Sequence, residues 1–137
     1  MGYVYDSSFI GAIIIPDEKN PDTDKIRESV RNDNKIFVPQ LFWYEITNMF
    51  KNLIRRKRFT YDQVLNFYPR LSAIGLICDY ETGIYYSQKL LHLCNDYNLS
   101  SYDAAYLELA ARKNAVLCTL DENLQKAAKK RGLAVLE

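Results

Sequence analysis

Four acidic side chains, Asp6, Glu45, Asp103 and Asp121, stand at positions where a carboxylate can do chemistry. Asp6 directly follows the β-prone run Tyr3, Val4, Tyr5, and Asp121 follows the apolar run ending at Cys118 by a two-residue turn. In an open parallel sheet ligands sit beyond the carboxyl ends of the strands. Placing those two strands side by side therefore brings both carboxylates together. Asp103 opens a helix signal, and Glu45 lies about two turns into another helix, beside its apolar stripe, where Asn48 and Asn52 continue the polar seam. Carboxylates held close together repel and raise one another's pKa unless a hard divalent cation neutralises them. Such a cluster points to Mg²⁺ or Mn²⁺. The single histidine, His92, sits in a helix interior far along the chain from every acid, which gives no support to a zinc site or a histidine-based nuclease. Each aspartate also has a purely structural reading: Asp6 as a helix cap, Asp103 as the partner in a capping box begun by Ser100, Asp121 as a favourable charge at a helix start. Glu45, a full turn beyond any cap, has no such duty.

The elements that must position these acids alternate along the chain. A strand over 3–5 runs into a helix capped at Asp6, and a polar loop from Pro16 leads to an amphipathic helix over about 23–31. A strand over 35–38 stops at Pro39, which opens a long helix carrying Phe42, Ile46, Met49, Phe50 and Leu53 at helical spacing. Thr60 and Gln63 form a capping box for the next helix, and 74–78 reads as a buried strand. Helices over about 82–97 and from Ser100 to Lys113 follow, then a strand over 115–118. A last helix to about residue 131 is ended by Gly132 before a short strand over 134–136. This alternation predicts a three-layer α/β/α fold around a central parallel sheet of about five strands.

At 137 residues, 48% of them hydrophobic, the chain fits one domain with a proper core, read here as a single unit over 1–137. No apolar run approaches the roughly 20 residues of a bilayer span, and no basic-then-apolar leader opens the chain, so the expectation is a cytoplasmic protein without membrane association. Cys78, Cys94 and Cys118 are odd in number and set in apolar runs, which suits reduced core thiols. A net charge of +1 does not advertise nucleic-acid binding, so any such binding must use a local patch.

In order and context the four acids resemble the PIN-domain family, and within it the VapC-like toxins of toxin-antitoxin pairs. The matching segments are Tyr5-Asp6-Ser7-Ser8, Glu45-Ile46-Thr47-Asn48, Ser101-Tyr102-Asp103-Ala104-Ala105-Tyr106 and Cys118-Thr119-Leu120-Asp121-Glu122-Asn123-Leu124. The resemblance implies a metal-dependent endoribonuclease in which all four acids are catalytic. It further implies Asp6 and Asp103 as direct ligands of Mg²⁺ or Mn²⁺, Asn48 and Thr119 as supports behind them, and products with 5′-phosphate and 3′-hydroxyl ends. It also implies a homodimer held inactive by a small antitoxin. Asn123 stands where other members carry a further acid.

The RNA track should be basic, and Arg55, Arg56, Lys57 and Arg58 are the leading candidates, with Lys126, Lys129, Lys130 and Arg131 as a second patch. Both also suit helix C-termini, where cations are favoured. Eleven tyrosines and Trp43 are available for the core, for protein interfaces or for stacking on unpaired bases. The alternative reading is a Mg²⁺-binding phosphoacceptor or ligand-binding α/β domain, which would want a lysine at a strand end; none is found.

Overall fold

The computed structural model describes residues 2–17, 28 and 34–136. Its elements are β1 (Gly2–Tyr5), α1 (Ser7–Ile14), β2 (Lys35–Pro39), α2 (Leu41–Arg55), α3 (Tyr61–Leu65), α4 (Tyr68–Ile74), β3 (Leu76–Asp79), α5 (Ile84–Tyr97), α6 (Ser101–Lys113), β4 (Val116–Cys118), α7 (Glu122–Lys130) and β5 (Val135–Leu136). The strands form one parallel sheet in the order β3-β2-β1-β4-β5, the centre of the expected three-layer α/β/α architecture.

Burial follows strand position. Val4, Tyr5, Val38, Leu117 and Cys118, on the three inner strands, are wholly inaccessible, whereas β3 and β5 at the edges are half-exposed. The chain leaves β1 towards β2 and β3 on one side and returns to β4 and β5 on the other. The order therefore reverses between β1 and β4, the point where parallel sheets open a crevice for ligands. Tyr5 pairs with Cys118 and the Asp6 N–H donates to the Cys118 carbonyl, so the residues following both strands emerge side by side. Helix α6 runs through the core, with every residue from Ala104 to Ala110 buried. Helix α1 is apolar almost all round, and Gly11 lets it approach α2: a Cβ there would lie 2.9 Å from the Met49 sulfur.

Several boundaries differ from the sequence expectation. Pro39 closes β2, in register with Asp79, and α2 begins only at Leu41. The stretch after the Thr60–Gln63 capping box, which makes both of its reciprocal bonds, splits into α3 and α4, with Pro69 in the first turn of α4, where its missing N–H costs nothing. The apolar run 74–78 is not all strand. Ile74 ends α4, Gly75 caps it at φ 74°, and β3 starts at Leu76, because a left-handed residue breaks the continuity that hydropathy alone suggests. Cys118 is buried, whereas Cys78 and Cys94 are only half-buried; all three are free thiols. The helix expected over 23–31 lies, Glu28 apart, outside the described residues. Among the described residues no helix is long and apolar enough to cross a membrane.

Candidate active site

The crevice between β1 and β4 is built from the ends inward. Asp6 caps α1: its Oδ1 accepts the Phe9 N–H at 3.0 Å and the Ser8 hydroxyl at 2.7 Å, while its Oδ2 accepts the Thr119 hydroxyl. Thr119 is buried and its oxygen also accepts the Asp121 N–H at 3.0 Å, so one hydroxyl ties the end of β1 to the turn after β4. Ser8 makes a second tie, its oxygen accepting the Leu120 N–H at 3.1 Å. Asp121 caps α7 by accepting the Leu124 N–H at 3.1 Å. The capping roles open to Asp6 and Asp121 in the sequence are thus real, and they fix both carboxylates at the crevice mouth. Ser100 accepts the Asp103 N–H, but unlike the Thr60–Gln63 pair the reciprocal bond to the backbone of the cap residue is not made; the Asp103 carboxyl interacts instead with the Ser100 side chain.

Glu45 is held from across the fold. The buried Tyr106 hydroxyl donates to its Oε1 at 2.5 Å, joining α6 to α2. Tyr106 lies one turn after Asp103, so a single helix supplies both an acid and the clamp on another.

Three of the acids resist ionisation. Burial raises the Asp6 carboxyl above the ordinary carboxylate range against the pull of the Thr119, Ser8 and Phe9 donors, and the Asp103 charge raises it further. Glu45 is raised by burial and by the charges of Asp6 and Asp103, with the Tyr106 bond opposing. Asp103 is raised by burial and then by Asp121. The charges of Asp6 and Asp103 reach Glu45, that of Asp103 reaches Asp6 and that of Asp121 reaches Asp103, and among the described residues none of the four forms a salt bridge. This uncompensated negative charge fits a hard divalent cation. Among the described residues no three metal-binding side chains already converge as a closed coordination set. The Cys118 thiol beneath the site is pushed up to about 12 by burial, then by the Asp6 charge, and is chemically quiet.

The other expected residues are distributed unevenly. Asn48 is exposed, one turn beyond Glu45, and makes no hydrogen bond to the acids among the described residues. Arg55 reaches back to Asn52 at 3.4 Å. Arg56 and Arg58 line a cavity of about 340 Å³ together with Ser8, Asn52 and Leu120, which joins part of the basic run to the mouth of the crevice. Lys57, at φ 59°, turns the chain there. Arg58 is partly spent on a two-point ion pair with Asp17. Lys129, Lys130 and Arg131 lie at the far end of α7, the last of them about 15 Å along the helix axis from Asp121, and Lys126 stands midway along the helix.

Sequence reading passed over Ser8 and Tyr106 as site residues, although both sit inside the quoted motifs. Their signal is spacing: a serine two residues after a strand-end aspartate, and a tyrosine at i+3 from a helix-start aspartate. A further acid, Asp79, stands at the end of β3. It is bound at both oxygens by Arg112, at 3.0 and 2.6 Å, and Arg112 also grips the buried Glu108. The Arg112 guanidinium holds the Asp79 carboxyl below the usual range, so this acid serves structure rather than the crevice.

A family model described as PIN domain matches residues 3–130. Among solved structures, the chain superposes on PAE2754 from Pyrobaculum aerophilum with a TM-score of 0.70 at 22% identity, covering 98% of this chain and 83% of that one. VapBC2 from Rickettsia felis, solved bound to a DNA fragment from its promoter, gives 0.69 at 14% identity over 99% and 98% of the two chains. VapC20 of Mycobacterium tuberculosis, described as a sarcin-ricin loop cleaving toxin, gives 0.64 at 15% identity over 91% and 94%. Among curated proteins no sequence matches the chain.

Proposed function

Because this chain belongs to the PIN domain family, we propose that it is a Mg²⁺- or Mn²⁺-dependent endoribonuclease, the VapC-like toxin of a toxin-antitoxin pair, acting as one nuclease domain in the cytoplasm. The observation that carries the reading is the crevice at the sheet's switch point, where Asp6, Glu45 and Asp103 are all pushed towards their neutral forms by burial and mutual charge. The likeness to VapC20, described as a sarcin-ricin loop cleaving toxin, and to VapBC2, solved bound to promoter DNA, supports the same class.

Asp6 and Asp103 are the residues that would hold the ion. When bound, a divalent cation polarises a phosphoryl oxygen and lowers the pKa of a water for in-line attack. Thr119 and Ser8 fix the rotamer of Asp6, and Tyr106 fixes Glu45, so the acids are set before substrate arrives. Glu45 and Asp121 would orient the attacking water or hold further metal through their carboxylates. Arg55, Arg56, Lys57 and the half-committed Arg58 take RNA phosphates beyond the scissile one. A homodimer and a small antitoxin covering the crevice complete the assembly.

Mn²⁺ titration followed by electron paramagnetic resonance tests the ligand assignment. Wild-type protein should bind the ion, and Asp6→Asn and Asp103→Asn should lose it while keeping the native circular dichroism spectrum. Unchanged Mn²⁺ binding in both variants would remove Asp6 and Asp103 from this role. Co-purification from the native operon tests the antitoxin.

A further inference from the structure

A second cavity, of about 300 Å³, is lined by Tyr44, Tyr86 and Tyr102. Tyr44 immediately precedes Glu45 on α2 and Tyr102 immediately precedes Asp103 on α6, so the two helices that bring acids to the crevice each bring an aromatic ring to its flank. Tyr44 is 76% and Tyr102 61% exposed, far more than ring surfaces serving a core. Gln40, Thr82 and Ser101 add neutral hydrogen-bonding groups to the lining.

No lysine or arginine lines this cavity, so it does not grip phosphate; of its two acids, Asp79 has both oxygens taken by Arg112, whereas Glu81 is exposed and can accept from the amino or imino edge of a base. What remains is a small space lined by three tyrosines, neutral polar groups and the Glu81 carboxylate, at the low end of the range of roughly 300–1,000 Å³ for small-molecule pockets. It is too small for an amphipathic helix and suits one planar polar ring. We propose that this cleft receives an unpaired nucleobase of the RNA, next to the phosphate held at the acids; the inference rests on the nuclease reading above. A base can enter only when released from a duplex, so the substrate is a single-stranded or looped segment. Stacking tolerates all four bases, and Gln40, Glu81, Thr82 and Ser101 supply whatever preference exists through the base edges.

The test is binding of a dye-labelled short single-stranded RNA, followed by anisotropy with Ca²⁺ present to neutralise the acids, for wild type and for Tyr44→Ala, Tyr44→Phe, Tyr102→Ala and Tyr102→Phe. The alanine variants should each weaken binding by about 5- to 100-fold and the phenylalanine variants by no more than about twofold, as stacking requires. The same RNA annealed to its complement should bind weakly and without dependence on either tyrosine. Alanine variants that bind and cut RNA like wild type overturn the cleft and leave the nuclease reading standing. Alanine variants that keep RNA binding but lose a co-purifying protein overturn it in favour of a protein-docking face. Absence of any RNA binding by wild type overturns it as well. Tyrosine-dependent binding by a protein that cuts no RNA with Mn²⁺ upholds the cleft and refutes the nuclease reading.

Discussion

Replacing Thr119 by valine isolates the hydroxyl that joins the two halves of the crevice. Valine keeps the branched shape in a site that is 1% exposed, so the change removes two hydrogen bonds with little change of volume. One bond is to the charged Asp6 carboxylate, worth about 1.5–3 kcal/mol, and the other is from the Asp121 N–H, worth about 0.5–1.5 kcal/mol. Their sum, roughly 2–4 kcal/mol, corresponds to a fall in Tm of about 6–20 °C for a chain of this size. Thr119→Ser keeps the oxygen and loses one methyl, costing about 1 kcal/mol. Thermal unfolding in chelator, followed by circular dichroism, should therefore rank wild type above serine above valine. Carbon-detected NMR adds an independent readout: with a lowering bond removed, the Asp6 carboxyl should titrate still higher in the valine variant. Valine as stable as wild type, or more stable than serine, would refute the bridging role.

Other consequences follow from the same contacts. Tyr106→Phe should cost about 1–2 kcal/mol in urea unfolding, because the bond it deletes is charge-assisted but Glu45 is only half-buried and can be rehydrated; Glu45 should titrate higher than in wild type. The folded-state pKa values of Asp6, Glu45 and Asp103 lie above their unfolded values, so their contribution to stability is present below the ordinary carboxylate range and is lost as pH rises through the folded values. In chelator Asp103→Asn should accordingly be more stable than wild type at pH 7, with the gain shrinking towards pH 4, as urea titrations at the two pH values will show. Arg112→Ala leaves the buried Glu108 and Asp79 without their shared cation and should destabilise by about 3 kcal/mol, with Arg112→Lys recovering only part because the fork is lost. Neutralising Arg55, Arg56 and Lys57 together should weaken RNA binding and flatten its salt dependence, measured as the slope of log affinity against log salt.

The alternation of short apolar runs with capped helices carries the fold class, since each strand is bounded by a turn residue or a capping side chain that acts locally. Strand order is not local. Nothing in the residues of β1 and β4 says that they are neighbours, yet the Tyr5–Cys118 pairing is what brings Asp6 to Thr119. Gly75 shows the same limit on a smaller scale: its left-handed φ ends a helix inside a run that hydropathy reads as continuous. In the crevice, residue type and position point to the acids, and Glu45 stands out because a carboxylate beyond the first turn has no cap to serve. The clamps Tyr106 and Ser8 were hidden because their partners lie 61 and 112 residues away along the chain. Asp79 shows the converse: an acid at a strand end whose fate is decided by Arg112, 33 residues on.

Cleavage of RNA is the direct test of the account. Purified protein is incubated with single-stranded RNA in Mg²⁺ or Mn²⁺ and, in parallel, in excess chelator, alongside Asp6→Asn and Asp103→Asn, and the ends of the fragments are mapped. Internal cuts leaving 5′-phosphate and 3′-hydroxyl ends, present with metal and absent in chelator and in both folded variants, are the predicted result. Cutting that persists in chelator or in either variant, or intact RNA with wild type at every metal concentration, would contradict it.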